Sequence, residues 1–216
     1  MAERISLDGV TDRSVMVNQA ADALREGRLI IAPMEHAYIF VADAFNHGAV
    51  KKMHILRGDP LGTAAQVLVG DIKTATGITR EFGSNISAIC QRFWPGLLTV
   101  KIPPAQGLVW DLGDQRNLEE IAIRVPASEF LREIAQATGP LAVASASTAG
   151  SKPRRGSRLF PALDSDYAYL FDLGELPEGP VTTVISVKDD GVTFLRAGAI
   201  SLAELREVTP NIAVPA

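Results

Sequence analysis

Short apolar runs that end at proline, glycine or serine constrain this chain more than any other feature. Each run is rich in Val, Ile, Leu and Ala and too short for a core helix, so it predicts a buried β-strand. The runs lie at residues 29–32, 66–70, 121–125 and 141–144. All are far below the ~20 apolar residues of a membrane-spanning helix, and residues 1–6 lack a secretory apolar core. We therefore expect a cytoplasmic protein with no membrane partner.

Segments with the periodicity of amphipathic helices alternate with these strands early in the chain, and strands follow one another more closely later. The predicted helices span residues 14–25, 49–56, 72–93 with a break near Gly83, 128–138 and 202–207. Further strands are predicted at 97–102, 167–172, 182–187 and 192–196. This order predicts the α/β class: a single domain over residues 1–216, with a core of about 14–207, in which helices flank a twisted mixed parallel and antiparallel sheet.

Charge narrows the possible partners. The net charge of −4 argues against nucleic acid held by overall charge, because phosphate binding is driven by clustered Lys and Arg. One local basic cluster is present, and it is either a solvated loop or a site for RNA phosphates. Its members are Lys152, Arg154, Arg155 and Arg158.

Metal and disulfide chemistry are not indicated. Cys90 is the only cysteine, so no intrachain disulfide can form, and a buried structural thiol is its plain interpretation. His36, His47 and His54 lack the close grouping with carboxylates that a zinc site would show. We predict no structural metal bound by protein ligands.

Several segments follow, in order, the motifs of one family, although no phosphate-loop lysine motif, dinucleotide-binding glycine fingerprint or G-x-S-x-G elbow is present. The matches are 29–45 with P-T-E-T-x-Y-G-L-x-x-D-A, 55–60 with K-x-R-P, 93–99 with W-P-G-P-L-T, 123–126 with V-R-x-P, 140–150 with S-x-S-A-N-x-S-G, and 179–186 and 195–200 with the closing segments. By these segments the chain resembles the YrdC/YciO family of nucleotide- and RNA-binding proteins.

The resemblance implies a YrdC-like fold with a concave basic cavity. The best known members make threonylcarbamoyl-adenylate from threonine, bicarbonate and ATP for tRNA modification, and others bind double-stranded RNA. For this chain the resemblance implies ATP or AMP as ligand, with Mg²⁺ if the chain is catalytic, and tRNA or double-stranded RNA as a further partner. The sequence given carries no extra C-terminal domain beyond the closing helix, so we expect the short form of the family.

The first motif departs from the family where it would hold threonine and nucleotide. Met34 and His36 replace its two threonines. Ile39 and Val41 stand in the stretch where the family favours glycine, and their branched side chains would narrow a pocket that glycine leaves open.

The second and fifth motifs depart as well. Arg57 replaces the family lysine and can still clamp a phosphate with its planar fork. Asp59 replaces the family arginine, which reverses the charge where a triphosphate would sit. Ser147 replaces an asparagine and has fewer donors.

The resemblance gives a candidate set of nucleotide-binding residues. It does not identify the catalytic residues, for which Arg57 and His36 are candidates. The set comprises Arg57, Arg124, Ser145, Ser147, Thr183 and Arg196. Each residue also has a structural alternative: Arg124 can pair with a carboxylate, Ser145 can cap a turn, and His36 can be a half-buried hydrogen-bonded side chain.

Three hypotheses follow from the resemblance and the departures. The first is an active threonylcarbamoyl-adenylate synthase. The second, which the departures favour, is a divergent paralogue that binds nucleotide or structured RNA without making that intermediate. The third is related adenylate or carbamoyl chemistry on another acceptor, with His36 and Glu35 recruited to a reshaped pocket.

Overall fold

Eleven strands form a mixed sheet in the computed structural model, which describes residues 2–117, 119–156, 166–189 and 191–215. The strands are β1 (Glu3–Ser6), β2 (Leu29–Pro33), β3 (Tyr38–Asp43), β4 (Gln66–Leu68), β5 (Leu98–Ile102), β6 (Ile121–Arg124), β7 (Leu141–Ser145), β8 (Tyr167–Asp172), β9 (Thr183–Lys188), β10 (Gly191–Arg196) and β11 (Ile212–Ala213). The helices are α1 (Ser14–Arg25), α2 (His47–Arg57), α3 (Ile72–Gly77), α4 (Ser84–Phe93), α5 (Glu129–Thr138) and α6 (Leu202–Val208).

The order of the strands across the sheet is β1-β8-β2-β3-β7-β4-β6-β5-β9-β10-β11. Three neighbouring pairs in this order are antiparallel: β2 with β3, β3 with β7, and β7 with β4. Parallel pairs join β4 to β6 and β5 to β9. The predicted α/β domain with a mixed sheet flanked by helices is therefore confirmed.

The two faces of the sheet are covered unequally. One face packs against apolar side chains of α2, α3, α4 and α6. On the other face, α1 and α5 cover β8, β2, β3 and β7, together with Ile5 of β1 and part of β4. Val100 of β5 and Ile185 of β9 are buried on the first face. Because side chains alternate along a strand, the residues directly before and after them in sequence point to the second face, beyond α5. A strip of polar side chains therefore continues there: Gln66, Thr99, Lys101 and Ser186.

The ends of α2 are fixed by local chemistry. The Asn46 side chain caps its start by accepting a hydrogen bond from Ala49 N at 2.9 Å. Gly58 ends it in the left-handed region, with φ 67°, a conformation that suits glycine because it has no Cβ. This stop places Arg57 at the last turn and turns the chain sharply into residues 58–61.

Three strands were not predicted from the pattern of apolar runs. Strand β3 lies within residues 29–45, which match the first family motif. Strands β1 and β11 are short, mostly exposed edge strands, so they lack the apolar alternation that marks a strand. They extend the sheet beyond residues 14–207 at both ends of the chain.

The buried side chain of Tyr38 anchors β3 to the segment that follows β8. Its hydroxyl lies 2.9 Å from Asp172 Oδ1 and 2.8 Å from the Gly174 carbonyl oxygen, and it accepts a hydrogen bond from Leu173 N at 2.9 Å. Burial and the adjacent Asp172 carboxylate, opposed by the Leu173 hydrogen bond, raise the pKa of Tyr38 to about 12.

Substitution of this tyrosine should change the alkaline stability profile. The pKa of Tyr38 is about 12 in the fold and ~10 in the unfolded chain, so the neutral hydroxyl stabilises the fold below pH ~10. That contribution should be lost as the pH rises towards about 12. Tyr38→Phe should lower the free energy of unfolding by about 1–3 kcal/mol at pH ~8 and flatten the alkaline loss, as measured by urea denaturation. Tyr169→Phe is the control and should keep the loss; an equally steep loss in Tyr38→Phe would refute the assignment.

Candidate functional site

A cavity of about 330 Å³ lies between the end of α2, the 34–39 segment and the last residues of β7. We call it the central cavity. Its apolar lining includes Met34, Ala37, Ile39, Val143, Ala144 and Pro153. Its polar lining comprises His54, Arg57, Asp59, Thr63, Gln66 and Ser145. Among these described lining residues Arg57 is the only Lys or Arg, so the wall is mainly apolar with a cationic corner.

Arg57 is held by contacts within the protein. Its Nε donates to Asp59 Oδ2 at 2.8 Å, and its Nη1 donates to the carbonyl oxygens of Ser147, at 2.9 Å, and of Ser145. The side chain is 14% exposed and that of Asp59 only 4%. Much of the positive charge available at this corner is therefore already paired.

Asp59 has a second partner in His54. The two side chains meet at 2.8 Å between Nδ1 and Oδ2, and the other ring nitrogen lies 2.8 Å from the Leu112 carbonyl oxygen. Burial disfavours the ionised carboxylate, but the hydrogen bonds and charges of Arg57 and His54 outweigh burial and hold the pKa of Asp59 below its ordinary value. The reversed charge expected at this position is thus compensated inside the protein.

Arg124 lies deeper, 1% exposed at the end of β6. Its Nη2 lies 2.5 Å from Glu35 Oε1, and its Nε donates to the Gly96 carbonyl oxygen at 2.7 Å. Burial lowers the pKa of this guanidinium, and the Glu35 carboxylate opposes that shift. Arg124 therefore has the carboxylate partner that was its structural alternative, and its part in nucleotide binding stays a prediction.

Ser145 and Ser147 are brought together with Arg57 at the end of β7. Their hydroxyl oxygens lie 2.9 Å apart, and Ser147 is 3% exposed. Ser145 lines the central cavity, whereas Ser147 contributes its carbonyl oxygen to the Arg57 contacts. Three of the predicted nucleotide-binding residues therefore form one cluster.

The other two predicted nucleotide-binding residues lie across the sheet from this cluster. Thr183 is fully buried, and its hydroxyl donates to the Ile200 carbonyl oxygen at 2.7 Å and accepts from Ile200 N at 2.9 Å. Arg196 is exposed and donates through Nη2 to the carbonyl oxygen of Thr182 at 2.8 Å and to its Oγ1 at 2.7 Å. Thr183 thus tethers the closing segment, while Arg196 stays at the surface.

A chain of hydrogen bonds links Arg196 to the central cavity. Gln66 Nε2 donates to Thr99 Oγ1 at 2.8 Å, and Thr99 Oγ1 donates to Thr182 Oγ1 at 3.2 Å, the same atom that Arg196 contacts. Neither Gln66 nor His54 was among the residues singled out from the motifs. The sequence feature that could have identified Gln66 as a site residue is its position at the start of a predicted strand, shortly after a family motif.

His36, the other catalytic candidate, is not among the residues that line the central cavity. Its Nδ1 lies 3.2 Å from the Pro177 carbonyl oxygen, and its ring packs directly over Gly179, where a Cβ would collide with it. His36 thus has the half-buried, hydrogen-bonded position that was its structural alternative. A catalytic role for it stays a prediction.

The predicted basic cluster is only partly free to meet phosphates. Arg155 lies 3.3 Å from a Glu175 carboxylate oxygen and 3.4 Å from one of Glu178. Lys152 is exposed, and the backbone carbonyl of Arg154 accepts a hydrogen bond from Tyr38 N at 2.8 Å. The last member, Arg158, lies outside the described residues.

No grouping of three or more His, Cys, Asp or Glu side chains suited to a metal ion occurs in the described parts of the chain. Cys90 is buried, as predicted, and burial raises the pKa of its thiol well above the ordinary value. Across the same residues, no helix has both the length and the apolar character needed to cross a membrane.

A sequence model of Sua5, YciO and YrdC proteins, described as "Telomere recombination", matches residues 22–198. The chain belongs to the Sua5/YciO/YrdC family. The resemblance found through the motifs is therefore confirmed. This Sua5/YciO/YrdC protein is 30% identical over 202 residues to a Mycobacterium leprae protein provisionally named a threonylcarbamoyl-AMP synthase, covering 89% of this chain and 87% of that one. It is also 30% identical over 209 residues to the Bacillus subtilis threonylcarbamoyl-AMP synthase, covering 96% of this chain and 60% of that enzyme.

Solved structures confirm the YrdC-like fold of this family member. Pyrococcus abyssi Sua5 in complex with L-threonine superposes with a TM-score of 0.84 at 23% identity, covering all of this chain and 62% of the other. Escherichia coli YciO superposes with a TM-score of 0.78 at 19% identity, covering 95% of this chain and 100% of the other. At these identities the likeness concerns the fold.

Removal of the shared carboxylate should destabilise the fold in a pH-dependent way. The pKa of Asp59 is lowered in the fold, so the ionised group stabilises the protein above its unfolded pKa of ~3.9, and that contribution is lost as the pH falls below it. Asp59→Asn should lower the free energy of unfolding by about 1–3 kcal/mol at pH ~7. On acidification, the free energy of unfolding of this variant should fall less than that of wild type. Urea denaturation followed by circular dichroism measures both effects. Asp8→Asn, at an exposed site, is the matched control, and equal stability of Asp59→Asn and wild type would contradict the described network.

Proposed function

We propose that this chain is a divergent Sua5/YciO/YrdC protein that binds an adenine nucleotide and does not make threonylcarbamoyl-AMP. The observation that carries this proposal is the pairing of Asp59 with both Arg57 and His54 at the corner of the central cavity. A polyphosphate needs uncompensated cations, and this corner offers one arginine whose charge is largely paired.

The apolar wall of the central cavity supports the proposal that the chain does not make threonylcarbamoyl-AMP. Met34 and Ile39 line the cavity at positions where the family motif carries threonine and favours glycine. A polar group of threonine that faced Met34 or Ile39 would find no hydrogen-bonding partner in that side chain, at a cost of roughly 1–3 kcal/mol for each unpaired group. The same wall suits the faces of a nucleobase.

Nucleotide binding itself rests on family membership and on the retained polar residues. The relatives carry names that specify an AMP product. Ser145 and Arg124 stand at positions that the family uses for the nucleotide, and Arg196 matches the arginine of the closing motif. Mg²⁺ would arrive with the phosphates of ATP rather than with a protein site of its own.

Structured RNA is the less favoured ligand of this family member. Arg155, in the basic cluster, is paired with Glu175 and Glu178, so part of the charge that would attract phosphates is spent within the protein. Binding of tRNA or double-stranded RNA through Lys152 and Arg154 would be weak and strongly dependent on salt.

Synthesis of threonylcarbamoyl-AMP is the second candidate. The observation that favours it is the 30% identity to the Bacillus subtilis synthase across 96% of this chain. The two candidates differ in a measurable quantity, because only an active synthase releases pyrophosphate in a reaction that requires threonine.

A turnover assay should separate the candidates. With ATP, Mg²⁺, threonine and bicarbonate, we expect no threonine-dependent pyrophosphate and no adenylate by mass spectrometry. The Bacillus subtilis enzyme, assayed in parallel, is the positive control. ATP or AMP at about a hundredfold its Kd should stabilise the fold by about 2.7 kcal/mol. Threonine-dependent product would establish the synthase instead, and absence of stabilisation by either nucleotide would refute nucleotide binding.

A matched pair of variants tests the charge argument. Arg57→Lys with Asp59→Arg rebuilds the lysine and arginine of the family motif, removes the internal carboxylate, and should tighten ATP binding about tenfold. Lys188→Arg, at an exposed site on β9, should leave binding unchanged. If the rebuilt motif binds ATP no better than wild type, pairing at Asp59 is not what limits the site.

A further inference from the structure

A second cavity, of about 480 Å³, shares His54 and Asp59 with the central cavity but is otherwise lined by different residues. We call it the α2 cavity. One wall is a face of α2, where His47, Lys51, His54 and Ile55 recur at helical spacing. The other walls are the turn at 58–61 and the loop at 111–116. Its volume is typical of a small-molecule site.

The loop wall is fixed in place by contacts with α2. The Leu112 carbonyl oxygen lies 2.8 Å from His54 Nε2, and the next residue, Gly113, has φ 101°. A side chain at Gly113 would collide with the His54 ring and with the Thr63 carbonyl oxygen, so only glycine fits. This wall is therefore a built surface that depends on close packing.

Strain is concentrated at the rim of the α2 cavity. Gln115 and Arg116 have φ values of 58° and 65°, and Asn117 N donates to the Asp114 carbonyl oxygen at 3.2 Å, which closes a tight turn around them. Turns with two successive positive φ values normally carry Asn and Gly. The left-handed conformation is unfavourable for other side chains, because their Cβ crowds the following carbonyl oxygen, and such strain clusters at ligand sites. Here it places the Arg116 side chain on the cavity wall.

The chemistry of the lining matches an amphiphilic anion. Lys51 and Arg116 line the cavity without an ion-pair partner among the described residues. Two carboxylates line the same cavity: Asp59 is already paired with Arg57 and His54, so its charge is compensated, and Asp111 opposes the two cations. Asp111 accepts a hydrogen bond from Gly113 N at 3.1 Å. Beside these charges the lining exposes large apolar side chains: Ile55 is 67% exposed and Leu61 93%.

We propose that the α2 cavity binds a small carboxylate that carries an apolar chain. The two cations less the Asp111 charge leave about one positive charge, which suits a monoanion better than a phosphate monoester carrying about −1.5 to −2 near pH 7. Arg116 can hold a carboxylate through two parallel hydrogen bonds. The chain would cover Ile55 and Leu61, and removal of their apolar surface from water favours binding. This site is independent of the nucleotide proposed for the central cavity.

The test uses octanoate as the probe. Acetate, which has the carboxylate without the long chain, and octanol, which has the chain without the charge, are the comparison ligands. Octanoate titrated into the ¹⁵N-labelled protein should give saturable shifts of amides in α2 and in residues 111–116. Octanoate should bind more tightly than either half. Lys51→Met with Arg116→Met should weaken its binding about tenfold, and Leu61→Ser should weaken it as well.

Matched controls make each outcome decisive. Lys188→Met removes an exposed lysine elsewhere on the surface and should leave octanoate binding unchanged. Shifts confined to other elements, shifts that do not saturate, equal binding of octanol, or undiminished binding to the double charge variant would each overturn the proposal. Because Lys51 and Arg116 are exposed, their variants should fold as wild type does, which thermal denaturation checks.

Discussion

The carboxylate of Asp59 joins parts of the protein that are distant in sequence. Through Arg57 it holds the last turn of α2 against the end of β7, and through His54 it holds α2 against the 112–113 loop. Because the side chain is 4% exposed, these charge-assisted contacts act in a low-dielectric setting, where each partner left alone would be costly. Asp59 and its partner His54 form the wall that the two cavities share.

The Glu35–Arg124 pair makes a second such junction, between the turn after β2 and the end of β6. Glu35 Oε1 also accepts a hydrogen bond from Ala127 N at 2.7 Å, just before α5 begins. Burying a pair of charges gains little net stability compared with apolar packing, but it penalises any arrangement that separates them. Arg57 and Arg124, two cations of the predicted site, therefore each pair with a carboxylate and hold loops together, which limits how much of their charge is available to a ligand.

Much of the fold followed from local patterns, and much of the site did not. Helices α1 and α5 were predicted within a residue or so because their apolar stripes and their glycine or serine boundaries are local signals. The cluster of Arg57 with Ser145 followed from the order of motifs. The pairing of Asp59 with His54 could not be foreseen in the same way, because it depends on a loop more than 50 residues away that presses His54 into place.

The hydrogen-bond chain from Gln66 to Arg196 has a fixed direction. Thr182 Oγ1 receives hydrogen bonds from both Thr99 and Arg196, and Thr99 in turn receives the amide hydrogen of Gln66. One of the two amide hydrogens of Gln66 is thus used inside the sheet. Because Gln66 also lines the central cavity, a guest that bonds to this amide meets a group whose orientation is set by hydroxyl groups on β5 and in the segment before β9. Residues that never touch the guest therefore influence which hydrogen-bonding groups it can bring to the cavity.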